Sequence, residues 1–594
     1  MQARFSYVRS GTIMLKILKY YKPYLGNILL VVVLLFIQAN AELALPDYMS
    51  KIVDIGIMKG GEGQGQAAYI LKMGGIMLAL TVLAAAATVT VGYFGSRTAS
   101  GVARDLRRAV FSKVQDFSSA EMDKFSTASL ITRSTNDITQ IQMVSNMALR
   151  MLFFAPIIGI GGVIRATSKA SSMWWIIALA VGILLSIVSL VFVIALPKFK
   201  KIQKLVDRLN LVLRENLTGM MVIRAFATES REEARFDKVN TDLTQTTLYI
   251  SKVMVVLMPL IGLIMNLVSI LIVWVGAQEI AQARIQVGDM MAFMQYSMQI
   301  FFSFMMMSMM FIIIPRASIS ADRIHEVLAT KPGIVDPAAP HPLPKTVKGV
   351  VRFDKVSFRY PGSSEDVLHD IDFTAQPGQV TAIIGTTGAG KSTLVSLVPR
   401  FYDVTEGSVS IDGVDVRSLG QKELRDLLGF VPQKASLFSG TVESNLRYAK
   451  EEALSQDMDE ALNIAQAKDF VHEAPKGLAS DVSQGGGNFS GGQRQRLTIA
   501  RALVKKAPIY IFDDSFSALD YSTDKKLRRA LAEKMAGVTL ILVTQRVATI
   551  KEADQIIVLD EGKMVGKGRH SELMERCEVY RNIALSQLSQ EELA

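Results

Sequence analysis

The stretch Gly385-Thr386-Thr387-Gly388-Ala389-Gly390-Lys391-Ser392-Thr393 sets glycines at its first and sixth places and a Lys-Ser pair directly after them. It follows the apolar run Val380–Ile384 and opens a helical pattern, the strand–loop–helix setting that a phosphate cradle requires. Successive backbone N–H groups in such a loop surround phosphate oxygens, and the next helix adds the positive end of its dipole. Lys391 is suited to reach the β and γ phosphates, and the Ser392 hydroxyl to ligate Mg2+. About 120 residues on, Ile509-Tyr510-Ile511-Phe512 reads as a strand that delivers two acids, Asp513 and Asp514. Asp513 suits Mg2+, often through water. Asp514 stands where ATP-hydrolysing enzymes often carry Glu. Between the two motifs, Ser490-Gly491-Gly492-Gln493 is a glycine turn opening a helix, a second anion-binding device. The cofactors expected from this set are ATP and Mg2+.

Two kinds of chain are needed to hold these residues. Residues 345–594 read as a soluble α/β protein, entered by the alternating strand Val350–Tyr360, while residues 24–315 hold most of the long apolar runs. With 594 residues the chain exceeds one ordinary domain. Half of its residues are hydrophobic and its mean hydropathy is +0.29, high for a wholly soluble protein. One cysteine, Cys577, excludes an intrachain disulfide and a cysteine-based zinc site. The net charge of +10 comes from basic residues in loops between apolar runs, which argues against nucleic acid as a partner.

Six segments are long enough to cross about 30 Å of hydrocarbon: 24–47, 69–96, 143–165, 174–197, 253–277 and 287–315. Arg150 interrupts the third. The basic stretch Lys16–Lys22 leads into a full-length span, so no cleavable signal peptide is expected. Basic residues crowd the second-to-third loop (Arg97, Arg104, Arg107, Arg108, Lys113, Lys124, Arg133) and the fourth-to-fifth loop (Lys198 to Arg235). That asymmetry places the N-terminus, both loops and the C-terminal half in the cytoplasm of a cell-membrane protein. Both loops are helix-patterned, so spans two to five are expected to continue beyond the bilayer. Their tips, near Ser118–Ser129 and Arg214–Phe226, are expected to dock on the soluble domain, the alternative being that the loops are solvated connectors. The expected divisions are an N-terminal segment 1–23, a transmembrane domain 24–330, a linker 331–349 and a nucleotide-binding domain 350–594.

Span six holds nine of the 29 methionines, Met294, Met298, Met305 and Met306 among them. Methionine suits surfaces that accept many apolar shapes, so these four are candidates for a substrate cavity, although ordinary helix packing uses Met as well. Glu42 is an acid inside span one, a costly placement that usually faces a cavity or a partner and could attract a cation.

Residues 350–580 resemble the nucleotide-binding domain of ATP-binding cassette transporters, with Phe489-Ser490-Gly491-Gly492-Gln493 close to that family's signature. The spans, with Ser129–Asp137 and Arg214–Phe226 in the loops, resemble its exporter branch. The resemblance implies an all-α six-helix transmembrane domain of the type IV exporter fold followed by an α/β P-loop domain. It implies a head-to-tail pair of nucleotide-binding domains, each ATP lying between one glycine loop and the other signature. Tyr360 would stack on adenine, Gln433 would sense Mg2+ and the membrane domain, and Asp520 would cross the seam. One copy of each motif makes the chain a half-transporter.

Two positions depart from the family pattern. Asp514 replaces Glu and retracts the carboxylate that orients the attacking water by about one C–C bond, and about 1 Å of misplacement can cost about a hundredfold in rate. Gln545 replaces the switch histidine and cannot carry a proton. The signature is intact. The combination resembles the degenerate subunit of bacterial heterodimeric multidrug exporters, whose partner would carry Glu and His at these positions. The substrate expected is a hydrophobic drug or lipid moved by alternating access. A homodimeric lipid or peptide exporter with two weak sites remains the alternative. A non-transporting ATPase is disfavoured by the six spans.

Overall fold

The computed structural model describes residues 17–58, 64–344, 346–534 and 537–587. The expected N-terminal segment therefore lies outside the described residues as far as residue 16. Two compact units result, one of residues 1–114 with 128–330, the other of residues 115–127 with 331–594.

The first unit is helical: α1 (Leu25–Lys51), α2 (Gln64–Gln115), α4 (Thr127–Ser134), α5 (Asn136–Lys169), α6 (Trp174–Thr218), α7 (Met220–Ala225), α8 (Glu229–Ala281) and α9 (Val287–Ala329), with α3 (Ser119–Phe125) belonging to the other unit. Among the described residues five helical stretches are long and apolar enough to cross a membrane, and the 43-residue α9 carries the methionine-rich run expected as the sixth. The 52 residues of α2 and 53 of α8 extend about 80 Å at 1.5 Å per residue, far beyond the hydrocarbon. Helix α5 runs unbroken past Arg150.

Helices α1, α5 and α9 share one apolar core, including Leu43, Ile158, Phe293, Tyr296 and Ile300. Glycines on α5 permit this approach: a Cβ on Gly162 would meet Ile300 Cγ1 at 2.8 Å, and one on Gly159 would meet Ser303 Oγ at 2.7 Å. At the outer end of the same helices Arg165 pairs with Asp47 at 2.5 Å and Lys169 with Asp289 at 3.0 Å. At the other end Asp137 accepts from Ser320 Oγ at 2.8 Å. Helix α6 pairs along α8, and their hairpin is pinned where Arg235 meets Glu215 at 2.6 Å. The tip of that hairpin leaves Leu217, Met221, Val222 and Phe226 exposed.

The second unit is built on a ten-stranded sheet. Its strands are β1 (Val351–Phe358), β2 (Leu368–Ala375), β3 (Val380–Gly385), β4 (Glu406–Ile411), β5 (Val414–Asp415), β6 (Leu428–Val431), β9 (Ile509–Asp513), β10 (Thr539–Val543), β11 (Gln555–Asp560) and β12 (Lys563–Gly568), with a separate β7–β8 pair at Gly440–Thr441 and Asp481–Val482. The order is β5-β4-β1-β2-β12-β11-β3-β10-β9-β6. Strands β11, β3, β10, β9 and β6 run parallel, and β9 and β10 are buried at every residue, as strands covered on both faces must be. Because β10 lies between β3 and β9, the carboxyl ends of three neighbouring strands bring the glycine loop, Asp513 and Gln545 to one edge. Helices α10 (Lys391–Ser396), α11 (Gln421–Asp426), α12 (Gly491–Val504) and α13 (Tyr521–Lys534) complete the frame used below. Helix α3, from the second-to-third loop, packs with this unit rather than with the flanking spans.

Candidate functional site

The loop from β3 to α10 turns through Gly388 at φ 87° and Gly390 at φ 91°, a region that an L side chain enters only with strain. Gly390 caps α10, so the Lys391 and Ser392 side chains spring from the first turn. Lys391 Nζ donates to the carbonyls of Gly385 at 3.0 Å and Thr386 at 2.8 Å. Burial lowers its pKa, with Asp514 and Asp513 working against that shift. Ser392 Oγ donates to Asp513 Oδ1 at 2.9 Å, joining the two motifs across 121 positions. This hydroxyl and carboxylate form an oxygen donor set that fits Mg2+, which takes its remaining ligands from phosphates and water.

Asp514 follows Asp513 with a left-handed backbone, φ 45°, and its N–H donates to Val543 O at 2.9 Å. Gln433 Nε2 donates to Asp514 Oδ2 at 3.5 Å, a long contact. Burial raises the pKa of both Asp513 and Asp514. Gln545 is exposed, and its backbone carbonyl accepts from Gln587 Nε2 at 2.7 Å. Glycine loop, Lys391, Ser392, Asp513, Asp514 and Gln433 thus converge, with Gln545 beginning beside them after β10. The set can hold a polyphosphate and a hard cation, with the Asp514 carboxylate beside them.

Tyr360 lies at the side of this loop. Its hydroxyl shares a 2.8 Å hydrogen bond with Thr393 Oγ1, and its ring meets those of Phe358 and Tyr402 edge-on at 4.9 and 5.3 Å. The signature stands apart: among the described residues no hydrogen bond joins Ser490–Gln493 to the glycine loop. Ser490 Oγ accepts from Gln493 N at 3.2 Å and Gln493 Oε1 from Ser490 N at 3.0 Å, a capping box that leaves Gly491 exposed at the start of α12. Asp520 caps α13 by accepting from Thr523 N at 3.0 Å, and the two hydrogen bonds from Thr523 hold its carboxyl below the usual range.

Sequence reading missed two participants. Arg546, next to Gln545, donates to Ser517 O at 2.8 Å and Leu519 O at 3.3 Å, tying the turn after Asp514 to the end of β10. Tyr402 donates to Asp123 of α3 at 2.9 Å. Neither belongs to a motif, and no local spacing marks them.

In the membrane unit the candidates separate. Met294 and Met298 line a cavity of about 10 Å3 with residues of α6 and α8, room for no more than a water. Met306 lines a larger one between α1, α5 and α9, and Met305 lines neither. Glu42 Oε1 accepts from Gln38 Nε2 at 2.9 Å.

Comparison with known proteins agrees with this geometry. Residues 28–304 match the ABC transporter transmembrane region and residues 368–517 the ABC transporter domain. An uncharacterized ABC transporter ATP-binding protein of Mycobacterium tuberculosis is 41% identical over 95% of this chain and 97% of its own length. An ATP-dependent lipid A-core flippase of Pseudomonas aeruginosa is 30% identical over 94% of this chain and 93% of its own. The structure of a bacterial Atm1-family ABC exporter with ATP bound superposes with a TM-score of 0.75 at 27% identity, covering 95% of this chain and 98% of that one. The chain belongs to the ABC transporter family, as a multi-pass membrane exporter with a cytoplasmic ATP-binding domain.

Proposed function

We propose that this chain is one half of a heterodimeric exporter of hydrophobic drugs or lipids, retaining ATP at its own site while its signature completes the working site of a different subunit. The observation that carries the reading is the Asp514 side chain, one methylene short of Glu, with Gln545 at the switch position of the same site. A water-orienting carboxylate has to come within hydrogen-bond reach of the water, and Asp514 instead has Gln433 Nε2 as a neighbour at 3.5 Å. Mg2+ held by Ser392 and Asp513 would neutralise charge between the β and γ phosphates. Lys391 and the glycine loop would bind the polyphosphate, and Tyr360 would stack on the base. All of these are binding functions. Driving transport then needs ATP to favour the closed pair over the open one, because equal affinity for both shifts nothing. The exposed apolar tip at Leu217, Met221, Val222 and Phe226 is the kind of surface a second subunit covers. Lipid as a substrate class is supported by the flippase relative.

Purification of the chain from its native host tests the partner. The expected result is a second half-transporter with Glu and His at the two positions. A symmetric pair of this chain, each site hydrolysing ATP at full rate, would overturn the reading. A homodimer with two weak sites is the second reading, since the intact signature Ser490–Gln493 could equally complete the site of a second copy of this chain. ATP turnover by the isolated chain that depends on its own Ser490 would select it.

A further inference from the structure

At the outer end of α1, α5 and α9, Arg165 pairs with Asp47 and Lys169 with Asp289. Arg150, on the same α5, has neither an ion-pair nor a hydrogen-bond partner among the described residues. It lies fifteen positions before Arg165, about 22 Å along the helix at 1.5 Å per residue, so it sits towards the cytoplasmic boundary of a hydrocarbon layer about 30 Å thick. A guanidinium cannot shed its charge, and at membrane depth such groups mark pathways or ligands.

Arg150 forms part of the wall of a cavity of about 290 Å3, together with Gln38 of α1, Met147, Met151 and Phe154 of α5, and Met306 of α9. Met147, Arg150, Met151 and Phe154 recur at helical spacing and so share one face of α5. The wall holds one cation, one amide and otherwise apolar, adaptable surface. Among the described residues no carboxylate lines it: Glu42, one turn beyond Gln38, has its Oε1 occupied by the Gln38 amide. The volume is at the lower end of small-molecule sites, about 300–1,000 Å3, enough for a head group and the first part of a chain whose remainder stays in lipid.

We propose that this cavity binds an amphiphile with an anionic head, a carboxylate or phosphate paired with Arg150 and a chain lying on Met147, Met151, Phe154 and Met306. The inference rests on the exporter reading and gives it a substrate class, opposite in charge to the cation that Glu42 alone would suggest.

Binding is measured without ATP, so that loss of transport and loss of this site give different results. The full chain in neutral phosphatidylcholine nanodiscs carries Phe154→Trp as a reporter. Brominated oleate, brominated phosphatidic acid, a brominated monoacylglycerol and a brominated alkyl-trimethylammonium are titrated as quenchers. An anionic probe is expected to bind about tenfold more tightly than the neutral one, the size of one charged hydrogen bond. Arg150→Gln should abolish that preference, and Arg150→Lys should keep part of it. Oleate alone or phosphatidic acid alone responding identifies the head group as a free carboxylate or a lipid phosphate. Equal binding of anionic and cationic probes would overturn the proposal. So would an anionic preference unchanged in Arg150→Gln, which would leave Arg150 a side chain reaching to the headgroups. The Met306→Ala variant, which keeps the charge, should weaken both oleate and the monoacylglycerol. If it leaves both unchanged, the chain does not lie in this cavity and the proposal fails. ATP-dependent movement of the bound probe into the outer leaflet, assayed separately in proteoliposomes, tests the exporter reading itself.

Discussion

The hydroxyl of Tyr402 donates to Asp123 Oδ2 at 2.9 Å, joining residues 279 positions apart. Asp123 sits on α3, from the loop between the second and third spans, and Tyr402 packs edge-on against Tyr360 beside the glycine loop. Desolvation and the Asp123 carboxylate raise the Tyr402 pKa, so the phenol remains a donor through the physiological range. One hydrogen bond within the second unit therefore ties α3 to the aromatic cluster beside the glycine loop.

Tyr402→Phe keeps the ring and deletes the bond. Nucleotide affinity is expected to stay within about twofold, while the stimulation of ATP turnover by transported compound falls several-fold, the size of about 1 kcal/mol. ATPase rates of the reconstituted complex with and without compound check this. Unchanged stimulation would mean that the bond transmits nothing.

Restoring Asp514→Glu and Gln545→His together should raise single-turnover hydrolysis at this chain's own site by about ten- to a hundredfold, the scale of a 1 Å displacement. Asp514→Ala in the unaltered complex should change total turnover by less than about twofold. Complete loss in Asp514→Ala would identify Asp514 as the working base.

Burial raises the pKa of Asp513 and Asp514 above the ordinary Asp value. Between the unfolded and folded values the folded chain binds more protons than the unfolded one, so stability falls as pH rises through that window. Asp513→Asn is then expected to raise the unfolding temperature of the nucleotide-free protein at neutral pH, with the advantage shrinking as pH is lowered towards about 4. The same variant should weaken Mg2+-dependent ATP retention. Thermal unfolding across a pH series, beside nucleotide binding with and without Mg2+, reads both effects.

Gly162→Val places a side chain where Ile300 Cγ1 would lie 2.8 Å from its Cβ. Overpacking of this kind costs about 1–3 kcal/mol, and the unfolding temperature should drop, whereas Gly182→Ala, with open space around it, should not lower it comparably. Equal effects in the two variants would remove the α5–α9 approach as the cause.

The nucleotide site was legible in the chain because its parts are contiguous. A glycine loop needs its residues in one run between a strand and a helix, and an apolar strand ending in Asp513 and Asp514 displays its burial in its composition. The spans were legible for the same reason, since about 20 apolar residues in a row have few other uses. The membrane cavity was not. Methionines are crowded so closely along α9 that no periodicity separates one face from another, and only packing against α5, α6 and α8 sends Met294 and Met298 to one cavity and Met306 to another. Glu42 read as an acid facing a cavity or a partner, and its partner is the Gln38 amide one turn back on α1, while Arg150 read as an interruption until packing made it part of a cavity wall. Tyr402 and Asp123 carry no local signal at all. Residue order determines which groups a segment can offer, whereas a partner brought in from elsewhere in the chain, or none, is settled only when distant helices and strands pack.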